Sequence, residues 1–169
     1  PFKWTEGEVF TQFYKLKKKV AAGARFIVSQ VGYDARKMQE MLMLVRDAGI
    51  DVPLVANIFV LNAGTAAFMH RGGVPGCDVS DELLEVVRAE KELPDGGLQA
   101  RFDRAAKLIA AARGMGYAGV HIGGAHVNAE TVKYLLEKAQ EYASDWQAAA
   151  RDVMFAPKTS FWVYKQDPE

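Results

Sequence analysis

Apolar positions along this chain alternate between two periods, one near three and a half residues and one of short continuous runs. Thr5 precedes Glu6 and Glu8 as a helix start, and Phe10, Phe13, Tyr14 and Leu16 or Lys17 continue a helical face that stops near Gly23. Arg25 to Gln30 is a short, mostly apolar run rich in β-branched residues, which predicts a strand buried on both faces. Asp34 caps a helix over Ala35–Asp47, with Met38, Met41, Leu42 and Val45 at helical spacing and Ala48-Gly49 ending it. Val52–Leu61 reads as a second buried strand, with Pro53 near its start. A shorter helix over Asn62–Arg71 is closed by Gly72-Gly73, and a loop over 74–78 follows. Ser80 caps a helix running to about Glu92. After Pro94-Asp95-Gly96-Gly97, Leu98–Arg113 predicts a helix whose inner face carries Leu98, Phe102, Ala105, Leu108, Ile109 and Ala112. Ala118–Gly123 is the third strand, and Asn128 caps a last helix from Ala129 to about Ala143 or beyond. The tail, Val153 to Tyr164, holds Phe155, Phe161, Trp162 and Tyr164 and is expected to pack on the body.

Strands alternating with helices predict an α/β fold of parallel strands joined by crossover helices. Three strands fit either a small doubly wound domain or a portion of a (β/α)₈ TIM barrel, whose other strands lie in sequence beyond this chain. Composition narrows the function classes. With 21 basic and 21 acidic side chains, the 169 residues carry no electrostatic footprint for nucleic acid. The single cysteine, Cys77, allows neither an internal disulfide nor a cysteine-cluster zinc site. No apolar run approaches the roughly 20 residues that span a bilayer, and Pro1 to Phe13 has no signal-peptide pattern, so a cytoplasmic protein is expected. Beginning at Pro1 rather than methionine, the chain is expected to be a piece of a longer protein.

In either architecture ligands gather at the carboxyl ends of strands, here 29–34, 57–62 and 121–126. Gln30 ends an apolar strand and offers a donor and an acceptor together, which suits an amide-like heterocycle edge or, equally, loop backbone. Lys15, Lys18 and Lys19 share one helical stripe while Lys17 points elsewhere; three ammonium groups near a ligand face attract phosphate, and a solvated face is the other reading. Gly123-Gly124-Ala125-His126 ahead of Asn128 is similar to an anion-binding turn without a complete nucleotide fingerprint. His70, His121 and His126 lack metal-site spacing, and His121, within a strand, reads as a satisfied core side chain. Cys77 has no local nucleophile signature, and Asp78, Asp81 and Glu82 read as helix-start charges.

The string from Lys15 to Gln30, followed by Tyr33-Asp34, resembles the methylenetetrahydrofolate reductase family: a lysine-rich helix, V-x-A-G-A, a strand ending in [ST]-Q, then an aromatic-Asp pair. Ala48-Gly49-Ile50-Asp51-Val52-Pro53, the Val74-Pro75 step and the helices around the His121 strand fit as well, so the resemblance covers about residues 3 to 140. It implies the carboxyl-terminal part of a (β/α)₈ barrel over residues 1–150, followed by an aromatic tail over 151–169. It further implies FAD at the strand ends and NADH or NADPH as reductant. The reaction implied is reduction of 5,10-methylenetetrahydrofolate to 5-methyltetrahydrofolate, in one-carbon and methionine metabolism. By the same resemblance Gln30 binds the folate pterin, and Lys15, Lys18 and Lys19 are flavin contacts, with Lys19 near the phosphates.

The family's catalytic glutamate and flavin-tuning aspartate lie in an amino-terminal half outside these residues, so no catalytic acid is assigned and the chain alone is expected to be inactive. Against a full barrel of about 250 residues the chain is short by roughly 100. Lysines stand at 15 and 18 where many members have asparagine and arginine. Asn57-Ile58-Phe59-Val60 replaces G-I-x-P, and Gly76 to Val79 holds no aromatic to cover the folate. These departures mark a divergent branch. They leave open a tetrahydrofolate-binding or methyl-transfer accessory protein without a working flavin site, and a free-standing interaction domain. Exposed strand edges would favour a homo-oligomer.

Overall fold

Five helices begin where a short polar side chain closes onto the backbone N–H three residues later. Asp34, Asn62, Ser80, Asn128 and Asp145 accept from Lys37, Thr65, Leu83, Thr131 and Ala148. The computed structural model describes residues 2–125 and 127–164. Its elements run α1 (Glu6–Ala21), β1 (Ile27–Val28), α2 (Ala35–Asp47), β2 (Leu54–Val60), α3 (Ala63–His70), α4 (Asp81–Lys91), α5 (Leu98–Met115), β3 (Gly119–Gly124), α6 (Ala129–Glu141) and α7 (Trp146–Arg151). Thr5 precedes α1 but makes no cap; its hydroxyl turns to Glu8 at 2.6 Å. The last predicted helix is divided: α6 stops at Glu141 and a 3₁₀ turn, Ala143–Asp145, leads into α7.

The three strands form one parallel sheet in the order β1-β2-β3, with Val28 opposite Val55 and Asn57 opposite His121. Along β2, Leu54, Ala56, Ile58 and Val60 are buried while Val55, Asn57 and Phe59 are half-buried. The first set packs against the alanine-rich face of α5 and against α2 in the main core. The second set looks out from a face that helices do not fully cover. A doubly wound domain covers both faces of its sheet, whereas a barrel wall covers only its outer one. The arrangement is a three-stranded parallel α/β sheet consistent with part of a (β/α) barrel.

Strand β1 corrects the expectation of a strand buried on both faces. Only Ile27 and Val28 pair with β2, and Phe26 and Val28 are 62% and 45% exposed. The cause is position. β1 is the sheet's edge, its outer side has no partner strand among the described residues, and the ladder ends where the Ser29 hydroxyl takes the Asn57 N–H at 3.1 Å. Leu98 also departs from its expected inner face and is exposed, because Gly97 starts α5 in a left-handed turn beside α4. On α1 the buried residue is Val9, while Phe10 and Tyr14 are exposed.

Three ionisable side chains one turn apart on α2 hold the segment from Val153 to Tyr164. Asp34 is buried and accepts from Lys37 N at 2.8 Å, Phe155 N at 2.6 Å and Ala156 N at 2.7 Å. The buried Lys37 ammonium donates to Glu40 at 3.0 Å and to the Phe161 carbonyl at 2.6 Å, and lies 4.0 Å from the Trp162 ring centroid. The other Glu40 oxygen accepts from Val163 N at 2.5 Å. Phe161 N donates to Trp4 O at 2.8 Å. The Phe2 ring packs so closely on Gly32 that a Cβ at that position would lie only 2.9 Å from it.

Lys37→Ala strands Glu40 as an unpaired buried charge and is expected to cost about 3–5 kcal/mol in urea denaturation, with early proteolytic cleavage in 153–164. Burial pushes the Asp34 carboxyl above its ordinary range, although the Lys37, Ala156 and Phe155 N–H groups pull it back. The native state therefore holds that proton more tightly than the unfolded chain. Its stabilising contribution is full below about pH 4 and fades as pH rises through the folded value. Urea midpoints of wild type and Asp34→Asn, compared from pH 4 to 7, should move in the variant's favour as pH rises.

Candidate functional site

Polar side chains gather along β1 and just past its carboxyl end. A groove of about 440 Å³ runs between α1 and the free edge of β1, and Lys15, Lys19 and Gln30 all line it. Lys15 and Lys19 meet there because they are four apart on α1, one above the other. Neither has an ion-pair partner among the described residues, and no carboxylate lines the groove. Lys18 is not with them: its ammonium lies 4.9 Å from the Tyr14 ring centroid, one turn back on α1. The stripe of three lysines expected from spacing is thus two in the groove and one turned onto an aromatic ring.

Gln30 leaves the sheet just past the last paired residue. Its Oε1 accepts from Val31 N at 3.0 Å, so the loop-backbone role open to it in the sequence is real. That bond uses one lone pair. The amide nitrogen stays unpartnered among the described residues, 3.2 Å from the place a Cβ on Gly76 would occupy. Gly76 has φ +81° and leaves room for the amide where a side chain would crowd it. Ser29 fixes the turn by donating to the Gln30 carbonyl at 3.0 Å.

His121 is the clearest correction. Rather than a core side chain it is exposed, on the half-open face of the sheet, with Nδ1 3.1 Å from Asn57 Oδ1 on β2. Sequence reasoning missed the pair. Strand alternation places Asn57 and His121 each on one face, yet nothing local says which face is open or that the two are in register. His70 is a structural residue, with Nδ1 3.0 Å from Val79 O and Nε2 3.5 Å from Asp81. Asp78 pairs with Lys3 at 2.7 Å instead of serving a helix start. Cys77 is buried, and burial with the nearby Asp78 pushes its thiol up, away from nucleophile chemistry. Gly124, at φ +136°, lets β3 approach the Val60 carbonyl closely, so this glycine serves strand packing; His126, the end of that turn, lies outside the described residues. Among the described residues no cluster of three metal-ligating side chains occurs, and none of their helices is long and apolar enough to cross a membrane.

Two unpaired ammonium groups and a free amide along one groove suit a ligand that is anionic at one end and a hydrogen-bonding heterocycle at the other. The family model for methylenetetrahydrofolate reductase matches residues 5–139. No curated protein matches the chain. If the groove takes the anion, Lys15→Ala combined with Lys19→Ala should weaken binding of a pyrophosphate-bearing nucleotide such as ADP about ten-fold and flatten its salt dependence, whereas Lys18→Ala leaves both unchanged; isothermal titration at two ionic strengths reads the difference.

Proposed function

The chain belongs to the methylenetetrahydrofolate reductase family, and from that premise we propose that it forms the carboxyl-terminal part of a (β/α)₈ barrel that reduces 5,10-methylenetetrahydrofolate to 5-methyltetrahydrofolate. The family makes it a folate-related oxidoreductase; FAD, the nicotinamide reductant and the named reaction are our reading. The observation that carries it is the convergence of Lys15, Lys19 and Gln30 on one groove that runs along β1.

The residues fit FAD by the chemistry of their donor set. Lys15 and Lys19 supply two cations free of ion pairs for the pyrophosphate, which brings two negative charges to a groove that holds no carboxylate. When bound, the flavin supplies the hydride-carrying ring between NADH or NADPH and the folate. Gln30 positions the folate. Its free Nε2 donates to a ring acceptor, and the second lone pair of Oε1 accepts from a ring N–H while the first stays on Val31 N. Locking Oε1 to the backbone removes rotamer freedom before the ligand arrives, so less entropy is lost on binding. The general acid is assigned to the part of the barrel that would pair with the open edge of β1, because no carboxylate of this groove can serve.

A second reading, folate binding without flavin, draws on Lys18, which faces Tyr14 in place of the groove. One set of measurements separates the two. The full-length protein should purify yellow and oxidise NAD(P)H only when 5,10-methylenetetrahydrofolate is present. Gln30→Ala should weaken 5-methyltetrahydrofolate about ten-fold or more while leaving flavin absorbance intact. Folate binding to a colourless protein would favour the second reading, and loss of both would sink this family's chemistry for the chain.

A further inference from the structure

The half-open face of the sheet carries a row of groups that the groove does not include. Val55, Asn57 and Phe59 of β2 stand opposite Gly119, His121 and Gly123 of β3. Two of the three β3 positions have no side chain. A Cβ on Gly119 would meet nothing within 4 Å, and one on Gly123 would only touch Phe59 and His121 at 3.8 and 3.9 Å. The strand therefore presents bare backbone on both sides of a single imidazole, with the Phe59 ring next to it. That is a flat floor, open to a planar ring.

Asn57 determines how the imidazole meets such a ring. Its Oδ1 is a pure acceptor, so the contact with Nδ1 at 3.1 Å requires the proton on Nδ1. In the neutral imidazole Nε2 is then left as an acceptor, with no partner among the described residues. Asn57 also stands where the G-I-x-P pattern of the resemblance has glycine. Val28 shares a face with Val55, and Gln30 follows two residues later where β1 ends, beside the strand that carries Asn57. Neighbouring strands lie about 4.8 Å apart, which puts β1 and β3 roughly 9–10 Å apart across the sheet.

The geometry points to Asn57 and His121 as a second recognition point for the heterocycle held by Gln30. His121 Nε2 accepts a hydrogen bond from an N–H of a reduced pterin lying across the glycine floor, and Asn57 is a positioning residue that holds the imidazole in the accepting tautomer. A reduced pterin carries N–H donors along its edges, which an acceptor of this kind selects over a ring offering only lone pairs. This inference rests on the folate reading above.

The test uses the full-length protein and 5-methyltetrahydrofolate. In the ligand-free protein, ¹⁵N spectra of labelled histidine should show His121 protonated at Nδ1, with Asn57→Gly moving it toward the Nε2-protonated form. His121→Phe, which keeps a ring, should weaken folate about ten-fold, while His121→Gln, which keeps an acceptor, should stay within about three-fold of wild type. Both side chains reach solvent, so thermal melts should show the variants folded. The inference is overturned if His121 carries its proton on Nε2 in the wild type, or if His121→Phe binds folate normally while Gln30→Ala does not; that second outcome leaves the folate reading standing. A wild-type protein that binds no folate overturns both.

Discussion

The structure depends on a buried polar clamp on α2. Asp34, Lys37 and Glu40 are three residues apart, lie on one stripe of the helix and are all nearly inaccessible to water. Burying such groups costs several kcal/mol each unless every donor and acceptor is used. Here they are: Asp34 takes three N–H groups, Lys37 reaches a carboxylate, a carbonyl and an indole face, and Glu40 takes an ammonium and an N–H. Apart from the Lys37 N–H and the Lys37–Glu40 pair itself, these partners come from the segment after α7. The clamp therefore binds that segment to α2 and, through Asp34, stiffens the loop that begins at Gln30.

That stiffness bears on recognition. A glutamine at the end of a two-residue edge strand would be poorly defined by the ladder alone. Gln30 is instead held from both sides, by Ser29 and Val31 in its own turn and by the clamped helix start four residues on. The aromatic tail lies outside the residues matched by the family model, 5–139, yet it supports the loop that begins at Gln30. The tail thus stabilises this loop through hydrogen bonds from Phe155 and Ala156 to Asp34.

The half-open face of the sheet sets the other constraint. Helices cover Leu54, Ala56, Ile58 and Val60, leaving the alternate residues for a ligand or for neighbouring strands. Buried Arg104 secures the end of this wall by donating to the Leu61 carbonyl at 2.8 Å while pairing with Glu90. A rigid wall with a half-open inner row is the condition under which Asn57 and His121 can act as a pair.

Most helix positions, the parallel strands and the family were legible in the chain, because the signals are local: a capping side chain touches an N–H three residues away, and a motif such as Val20-Ala21-Ala22-Gly23-Ala24 is contiguous. The placement of Lys15 and Lys19 together was legible for the same reason, as helical spacing alone puts them one above the other. Which way Lys18 turns, whether Val28 is covered and whether His121 is core or surface were not. Those depend on what lies across the groove, beyond the edge and over the face, at sequence distances of up to 64 residues in the case of Asn57 and His121. Alternation assigns a side chain to one of two faces, and only the assembled sheet decides which face meets helices and which stays open.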